Sequence, residues 1–254
     1  RINIYQVGDG CKVKQLIRID KYLCDMNIGS RSEVKNYIKK KRIKINGEIA
    51  QKDNVKVNIL NDKIEFDNKI IEYIQFEYYM LNKPAGVVSA TEDNKDKTVT
   101  ELINDNIKEI FPVGRLDKDT EGLLILTNDG EMAHNLLSPK KHIEKKYYAI
   151  IDGIVKVEHV EQFKEGLNIN NEYITKPAIL DILETNEKDG TSKINVTIIE
   201  GKYHQIKRMF KAIEMKVVYL KRIAMGELEL DNGLELGQYR KLTNKEIELL
   251  KNNK

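Results

Sequence analysis

No apolar run in this sequence approaches the roughly 20 residues that a membrane-spanning helix needs. No signal peptide is expected ahead of the folded part. Cysteine is nearly absent: Cys11 and Cys24 are too few for a disulfide framework and read as reduced thiols of a cytoplasmic protein. The histidines, His134, His142, His159 and His204, show no metal-ligand spacing and lie away from both cysteines, which argues against a metal centre. No segment repeats at a solenoid period. Membrane, secreted disulfide-rich, metal-centred and repeat architectures are thereby set aside.

What remains is a chain of 254 residues, one third of them charged and 41% hydrophobic. That composition fits a globular protein of one or two domains with a real core. The charge is unevenly spread. Residues 1–60 carry 14 Lys and Arg against 6 Asp and Glu, a net +8, whereas the whole chain is +3, which leaves the remainder near −5. A compact basic module on a mildly acidic body is an electrostatic footprint for nucleic acid. Charge alone fits a solvated lysine-rich face equally well.

The stretch from Gly114 to Gly130 organises the chain. It begins with Gly114-Arg115-Leu116-Asp117, crosses a charged loop and enters the apolar run Leu123 to Leu126, which Asn128-Asp129-Gly130 ends with turn chemistry. A short apolar run between glycines reads as a buried strand. Asp117 then sits on a loop entering a rigid core strand, a place where reactive groups are held.

Residues 1–16 show no clear period and stand outside the expected fold. Ile19, Tyr22, Leu23 and Met26 lie at helical spacing. Ser30 followed by Glu33 has capping-box form and predicts a second helix through Val34, Tyr37 and Ile38, carrying Lys35, Lys39 and Arg42 at or beyond its exposed side. Asn46-Gly47 predicts a hairpin, and Val55, Val57 and Ile59 alternate as a half-buried strand, as do Ile64 and Phe66. Residues 72–75 read as a linker. Beyond it, strands are expected from Phe76 to Leu81, over Val87-Val88-Ser89, and from Lys145 to Ile151. Others follow at 178–183, 194–199, 217–220 and 228–230. A Pro/Gly turn is expected at 82–86, and helices near 99–103, 132–137, 157–163 and 204–213. Thr243 to Glu246 is a second capping box, opening a terminal helix. Strand pairs with a few helices between them, without strict βαβ repetition, predict an α+β fold.

Three segments combine reactive or basic residues with turn signals: Arg115 to Asp117, Lys146-Tyr147, and Glu200 to Phe210. Singly, each has a plain structural reading: a loop carboxylate, a strand start with a core tyrosine, an amphipathic basic helix. Residues 17–47 resemble the S4 RNA-binding domain, through Ile17-Arg18-Ile19-Asp20-Lys21-Tyr22-Leu23, Gly29-Ser30-Arg31-Ser32, and Ile43 to Gly47. The longer chain resembles the pseudouridine synthases, in the branch typified by the small-ribosomal-subunit pseudouridine synthase A. Gly-Arg-Leu-Asp-x-x-Thr-x-Gly-Leu-Leu at 114–124 carries that resemblance. Tyr-Met-Leu-Asn-Lys-Pro at 79–84, Thr-Lys-Pro-Ala at 175–178 and Gly-Gln-Tyr-Arg-Lys-Leu-Thr at 237–243 support it.

The resemblance implies an S4-type α/β domain over 17–74 and a mixed, mainly antiparallel catalytic domain over 76–254. It implies Asp117 as the catalytic carboxylate, Tyr147 as the ring that stacks on uracil, Lys207 as the countercharge and Ile206 as an apolar wall. Arg115 is expected to contact RNA backbone or to help extrude the base. Arg18, Lys21, Ser30, Arg31, Ser32, Lys35, Lys39 and Arg42 are expected to face RNA, supplying affinity rather than sequence specificity. Lys207 stands where many related synthases have arginine, and a lysine offers a point charge without a bidentate fork.

The implied reaction breaks the N1–C1′ bond of uridine, rotates the uracil and joins C5 to C1′. It has no redox step and brings in no external group, so no cofactor is expected. The carboxylate either attacks carbon or removes a sugar proton. The expected substrate is 16S ribosomal RNA, free or in an assembling small subunit, at the uridine numbered 516, acted on by a cytoplasmic monomer. The alternatives are a 23S rRNA synthase of the same branch and a non-catalytic rRNA-binding assembly factor.

Overall fold

A computed structural model describes residues 16–104, 109–169 and 173–252. Cys11 and residues 1–15 lie outside them. The chain divides into two compact units, with Gln75 closing the first and Phe76 opening the second.

The first unit comprises β1 (Leu16–Arg18), α1 (Ile19–Asp25), α2 (Arg31–Lys39), β2 (Ile43–Ile45), β3 (Glu48–Ile49), β4 (Lys56–Asn58), β5 (Ile64–Phe66) and β6 (Lys69–Ile71). The capping box is formed: Ser30 Oγ accepts from Glu33 N while the Glu33 carboxylate accepts from Ser30 N at 2.8 Å. Asn46 and Gly47, with φ of 52° and 86°, turn β2 into β3 in mirror-turn geometry. The strands pair in the order β3-β2-β5-β6, and β1 pairs with β4. Ile19, Leu23, Val34, Ile43, Val57 and Ile64 form the core, each without solvent exposure. The expectation that residues 1–16 stay outside the fold fails at Leu16, which opens β1 opposite Asn58.

The second unit comprises β7 (Tyr78–Lys83), β8 (Phe111–Pro112), β9 (Glu121–Thr127), α3 (Gly130–Leu137), β10 (Lys145–Asp152), α4 (Val157–Glu165), β11 (Asn168–Ile169), β12 (Tyr173–Ile174), β13 (Ile179–Asn186), β14 (Thr191–Ile198), α5 (Gln205–Ala212), β15 (Lys216–Met225), β16 (Leu228–Glu229), β17 (Tyr239–Lys241) and α6 (Asn244–Asn252). Its main sheet runs β13-β14-β10-β15-β9-β7-β17, with β16 on β15 and β8 on β9. All pairings are antiparallel except β15 with β9. Leu123 to Leu126 are completely buried, each contributing about 1.5–3 kcal/mol of burial. Asp129 caps α3 by accepting from Met132 N at 3.0 Å, and Tyr78 Oη donates to the same carboxylate at 2.7 Å.

Three local expectations are corrected. The turn placed at 82–86 begins later, because β7 continues through Lys83, which pairs with Gly122. Val87 to Ser89 forms no strand, only a bridge from Val88 to Thr98; the Ser89 hydroxyl instead bonds the Leu116 main chain. The helix near 99–103 is a single 3-10 turn, Thr100–Leu102. Three apolar residues supply too few contacts to nucleate more.

Candidate active site

The loop from Gly114 to Thr120 joins β8 to β9 and is held by its main chain. Lys83, fully buried, donates through Nζ to the carbonyls of Thr120 at 2.8 Å, Pro84 at 3.0 Å and Asp117 at 3.1 Å. Gly86 N donates to Lys118 O at 2.7 Å. Ser89 Oγ accepts from Leu116 N at 3.0 Å and donates to Leu116 O at 2.9 Å. Polar partners on β7 and the segment after it therefore fix a loop that no regular strand contains.

That fixed loop presents Asp117 to α5. Lys207 Nζ donates to Asp117 Oδ2 at 3.0 Å and to Asp119 Oδ1 at 2.6 Å. His204, the α5 N-cap in left-handed geometry (φ 49°), puts Nε2 3.7 Å from Asp117 Oδ1. Asp117, Lys207, Tyr147, Ile206 and Arg115 line one cleft, together with Ile198, Leu220 and Gly201, Lys202, His204 and Gln205 of the turn before α5. It encloses about 80 Å³, room for several ordered waters or one small planar ring. Tyr147 comes from β10, where it pairs with Val196 and Arg222. Ile206 is buried on the inner side of α5 beside Met209 and Phe210. Arg115 is exposed, with no ion pair among the described residues. The five residues expected at the site thus converge.

Burial disfavours the charge on Lys207, but its hydrogen bonds to Asp119 and Asp117 outweigh that and raise its pKa above the ordinary lysine value. Asp119 behaves in mirror image: burial opposes ionisation, yet Lys207 lowers its pKa. Lys83 is pushed down to about 8 by burial, against the pull of Asp119, Glu121 and Asp117. Among the described residues, no group of three His, Cys, Asp or Glu is placed to hold a metal ion.

Sequence reasoning missed Lys83, Asp119 and His204 as parts of this cluster. Lys83 lies inside a segment that carried the resemblance, but nothing local tells which carbonyls it meets. Asp119 is two residues from Asp117, a visible second carboxylate. His204 stands in the sequence as one of four histidines without metal-ligand spacing, and nothing local ties it to Asp117.

In the first unit, the residues expected to face RNA fall into two groups. Arg31, Lys35 and Lys39 lie four apart on the exposed side of α2, and Ser32 is exposed beside them. Lys35 pairs with Asp53 at 3.4 Å; Arg31 and Lys39 have no ion pair among the described residues. Arg18 pairs with Asp20 at 2.7 Å and Lys21 with Asp25 at 2.7 Å. Ser30 Oγ is taken up by the capping box. Arg42 is half-buried, bonded to Asp67, with its guanidinium 4.6 Å from the ring centroids of both Tyr37 and Phe66.

Comparison with known proteins names the class that this fold and cleft define. Residues 77–212 match the RNA pseudouridylate synthase family, and residues 17–64 match the S4 domain. The chain belongs to the RNA pseudouridylate synthase family, with an S4 domain preceding the synthase domain. It is 44% identical to the uncharacterized RNA pseudouridine synthase YtzG of Bacillus subtilis, over 92% of this chain and 98% of that one. It is 39% identical to the ribosomal small subunit pseudouridine synthase A of Haemophilus influenzae, over 92% and 99%. It is also 39% identical to the ribosomal large subunit pseudouridine synthase B of Bacillus subtilis, over 92% and 95%. A solved structure described as a pseudouridylate synthase superposes with a TM-score of 0.64 at 38% identity, covering 92% of this chain and 99% of that one.

Proposed function

We propose that this enzyme isomerises a uridine of small-subunit ribosomal RNA, the uridine numbered 516, with Asp117 as its catalytic carboxylate. The observation that carries the reading is the 3.0 Å contact of Lys207 Nζ with Asp117 Oδ2 in a cleft that Tyr147 and Ile206 wall. The target base leaves its stack at a cost of a few kcal/mol, and the Tyr147 ring replaces the lost contact. The apolar walls exclude water, and Lys207 stabilises the carboxylate as it attacks C1′ or takes a sugar proton. The N1–C1′ bond breaks with its electron pair going to the uracil. The uracil turns, and C5 bonds to C1′ as the carboxylate leaves C1′ or the sugar proton is returned. The proton is then lost from C5 and N1 takes one up. Arg115, exposed at the cleft and without an ion pair among the described residues, holds a phosphate or the place of the extruded base. Arg31 and Lys39 of the S4 domain neutralise phosphates of the same RNA. The chain works as a cytoplasmic monomer. No described helix is long and apolar enough to cross a membrane.

The small-subunit assignment is supported by Met-Leu-Asn-Lys-Pro-Ala-Gly at 80–86 and Gly-Lys-Tyr-His-Gln-Ile-Lys-Arg-Met-Phe at 201–210, which resemble the 16S enzyme more than the 23S enzymes, and by the Haemophilus small-subunit relative. The equal identity to the Bacillus large-subunit enzyme favours a second reading, a 23S target. Mapping pseudouridines in 16S and 23S rRNA from cells lacking the protein separates the two. Tritium release from [5-³H]uridine-labelled rRNA tests the chemistry: Asp117→Asn abolishes release while RNA binding survives. Equal release by both forms would refute the role of Asp117.

A further inference from the structure

The cleft has an aromatic neighbour that the reaction above leaves unused. Tyr203 is 73% exposed. His204 stacks on it, with ring centroids 3.8 Å apart and planes 19° from parallel. The Nε2 edge of that histidine faces Asp117 Oδ1 at 3.7 Å. One face of the tyrosine is thus covered by a ring that reaches the carboxylate, and most of the remaining surface is open to solvent.

The turn that carries this pair is braced. Gln205 accepts from Lys202 N at 3.0 Å and donates to Glu200 Oε1 at 2.9 Å. Glu200 also accepts from Tyr173 Oη at 2.5 Å and Lys176 N at 2.9 Å. Arg208 donates to the Tyr203 carbonyl at 3.2 Å. Two cations flank the turn, Lys202, whose Nζ lies 4.6 Å from the Tyr173 ring centroid, and Arg208; Lys207, inside the cleft, is taken up by Asp117 and Asp119. An exposed ring flanked by cations suits a nucleobase whose phosphates those cations neutralise. A protein partner would call for an apolar groove, and a single ring among lysine and arginine does not make one.

We propose that Tyr203, backed by His204, is the stacking platform for the base of a nucleotide adjacent to the target uridine. The enzyme then grips a short single-stranded segment across the cleft mouth, not the extruded base alone. This rests on reading the cleft as the uridine site.

The test uses the full chain and short single-stranded RNAs bearing 5-iodouridine on one or the other side of a central uridine. Near-ultraviolet irradiation joins iodouridine to a stacked aromatic ring, and mass spectrometry of the digested protein locates the adduct. The expected adduct is on Tyr203. Tyr203→Ala weakens RNA binding about 5- to 150-fold, the usual worth of one base on an aromatic ring. Tyr203→Phe keeps the ring and restores affinity, and the loss in Tyr203→Ala falls on KM more than on kcat. Adducts confined to other aromatics, wild-type affinity in Tyr203→Ala, or failure of these RNAs to bind would overturn the platform. Tritium release by wild type on rRNA is read separately: its absence alongside a Tyr203 adduct would sink the isomerisation reading and leave the platform standing.

Discussion

Lys207 donates to Asp117 across 90 residues of sequence, Nζ to Oδ2 at 3.0 Å, and the same ammonium reaches Asp119 at 2.6 Å. A charged hydrogen bond of this kind is worth about 1.5–3 kcal/mol. Lys207→Met should therefore slow conversion about 10- to 100-fold under single-turnover conditions. Lys207→Arg, which keeps a cation in reach of both carboxylates, should retain most of the rate. Tritium release with enzyme in excess over RNA measures both. Equal rates for Met and wild type would mean the pair only holds α5 in place.

Lys83 should give stability an unusual pH dependence. Burial lowers its pKa from 10.5 to about 8, so the folded protein sheds this proton at lower pH than the unfolded chain. Between about pH 8 and 10.5 the unfolded chain binds more protons, and this residue's contribution to stability rises with pH across that window. Lys83→Met removes that rise. It also strips the donor from the carbonyls of Pro84, Asp117 and Thr120, costing about 2–3 kcal/mol at neutral pH. Urea unfolding of both forms from pH 7 to 10.5 checks the slope; parallel profiles would contradict it.

Elements with strong local chemistry were legible in the sequence. The Ser30–Glu33 box, the Asn46-Gly47 hairpin and the apolar run Leu123 to Leu126 all appear where the residues place them. Elements held by distant partners were not. The sequence shows β15 as a four-residue strand at 217–220, because Lys221-Arg222 reads as a polar break. The strand in fact runs through Met225, with Arg222 buried and its Nε donating to Leu123 O at 2.7 Å. The turn before β6 was overlooked for a different reason. Asp67 and Asn68 both take positive φ, 49° and 63°, without a glycine to announce it. At the site, residue types and motif spacing pointed to Asp117, Tyr147 and Lys207. The loop anchor Lys83 depends on carbonyls up to 37 residues away, which no local pattern encodes.

The cations of the S4 domain should separate into two functional sets. Arg31→Ala and Lys39→Ala remove exposed charges that have no ion pair among the described residues. Each should weaken RNA binding in a sequence-independent way and shallow the log–log salt slope by about 0.7–0.9. Unfolding of the domain should be unaffected. Arg42→Ala should act first on folding, since it removes the guanidinium from between Tyr37 and Phe66 and leaves Asp67 without it. Salt-titrated binding to single-stranded RNA and urea unfolding distinguish the sets. A stable Arg42→Ala domain with a reduced salt slope would move Arg42 into the first group.

Two glycines near the catalytic loop should respond to alanine with opposite signs. Gly122 has a φ of +100° and pairs with Arg222 where β9 and β15 run parallel. A Cβ there would stand 2.2 Å from the Arg222 carbonyl oxygen and 2.8 Å from its nitrogen. Both neighbours are main chain, so relief requires the strands to part. Gly122→Ala should cost about 4 kcal/mol or more, lowering Tm by roughly 10 °C, and should displace the loop that carries Asp117. Gly130, at the first turn of α3, has open space where a Cβ would go and no positive φ. Gly130→Ala should gain about 0.4–1 kcal/mol by restricting the unfolded chain and favouring the helix. Thermal unfolding of the two variants beside wild type reads both shifts. A Gly122→Ala protein with unchanged Tm would mean that the two strands do not approach this closely.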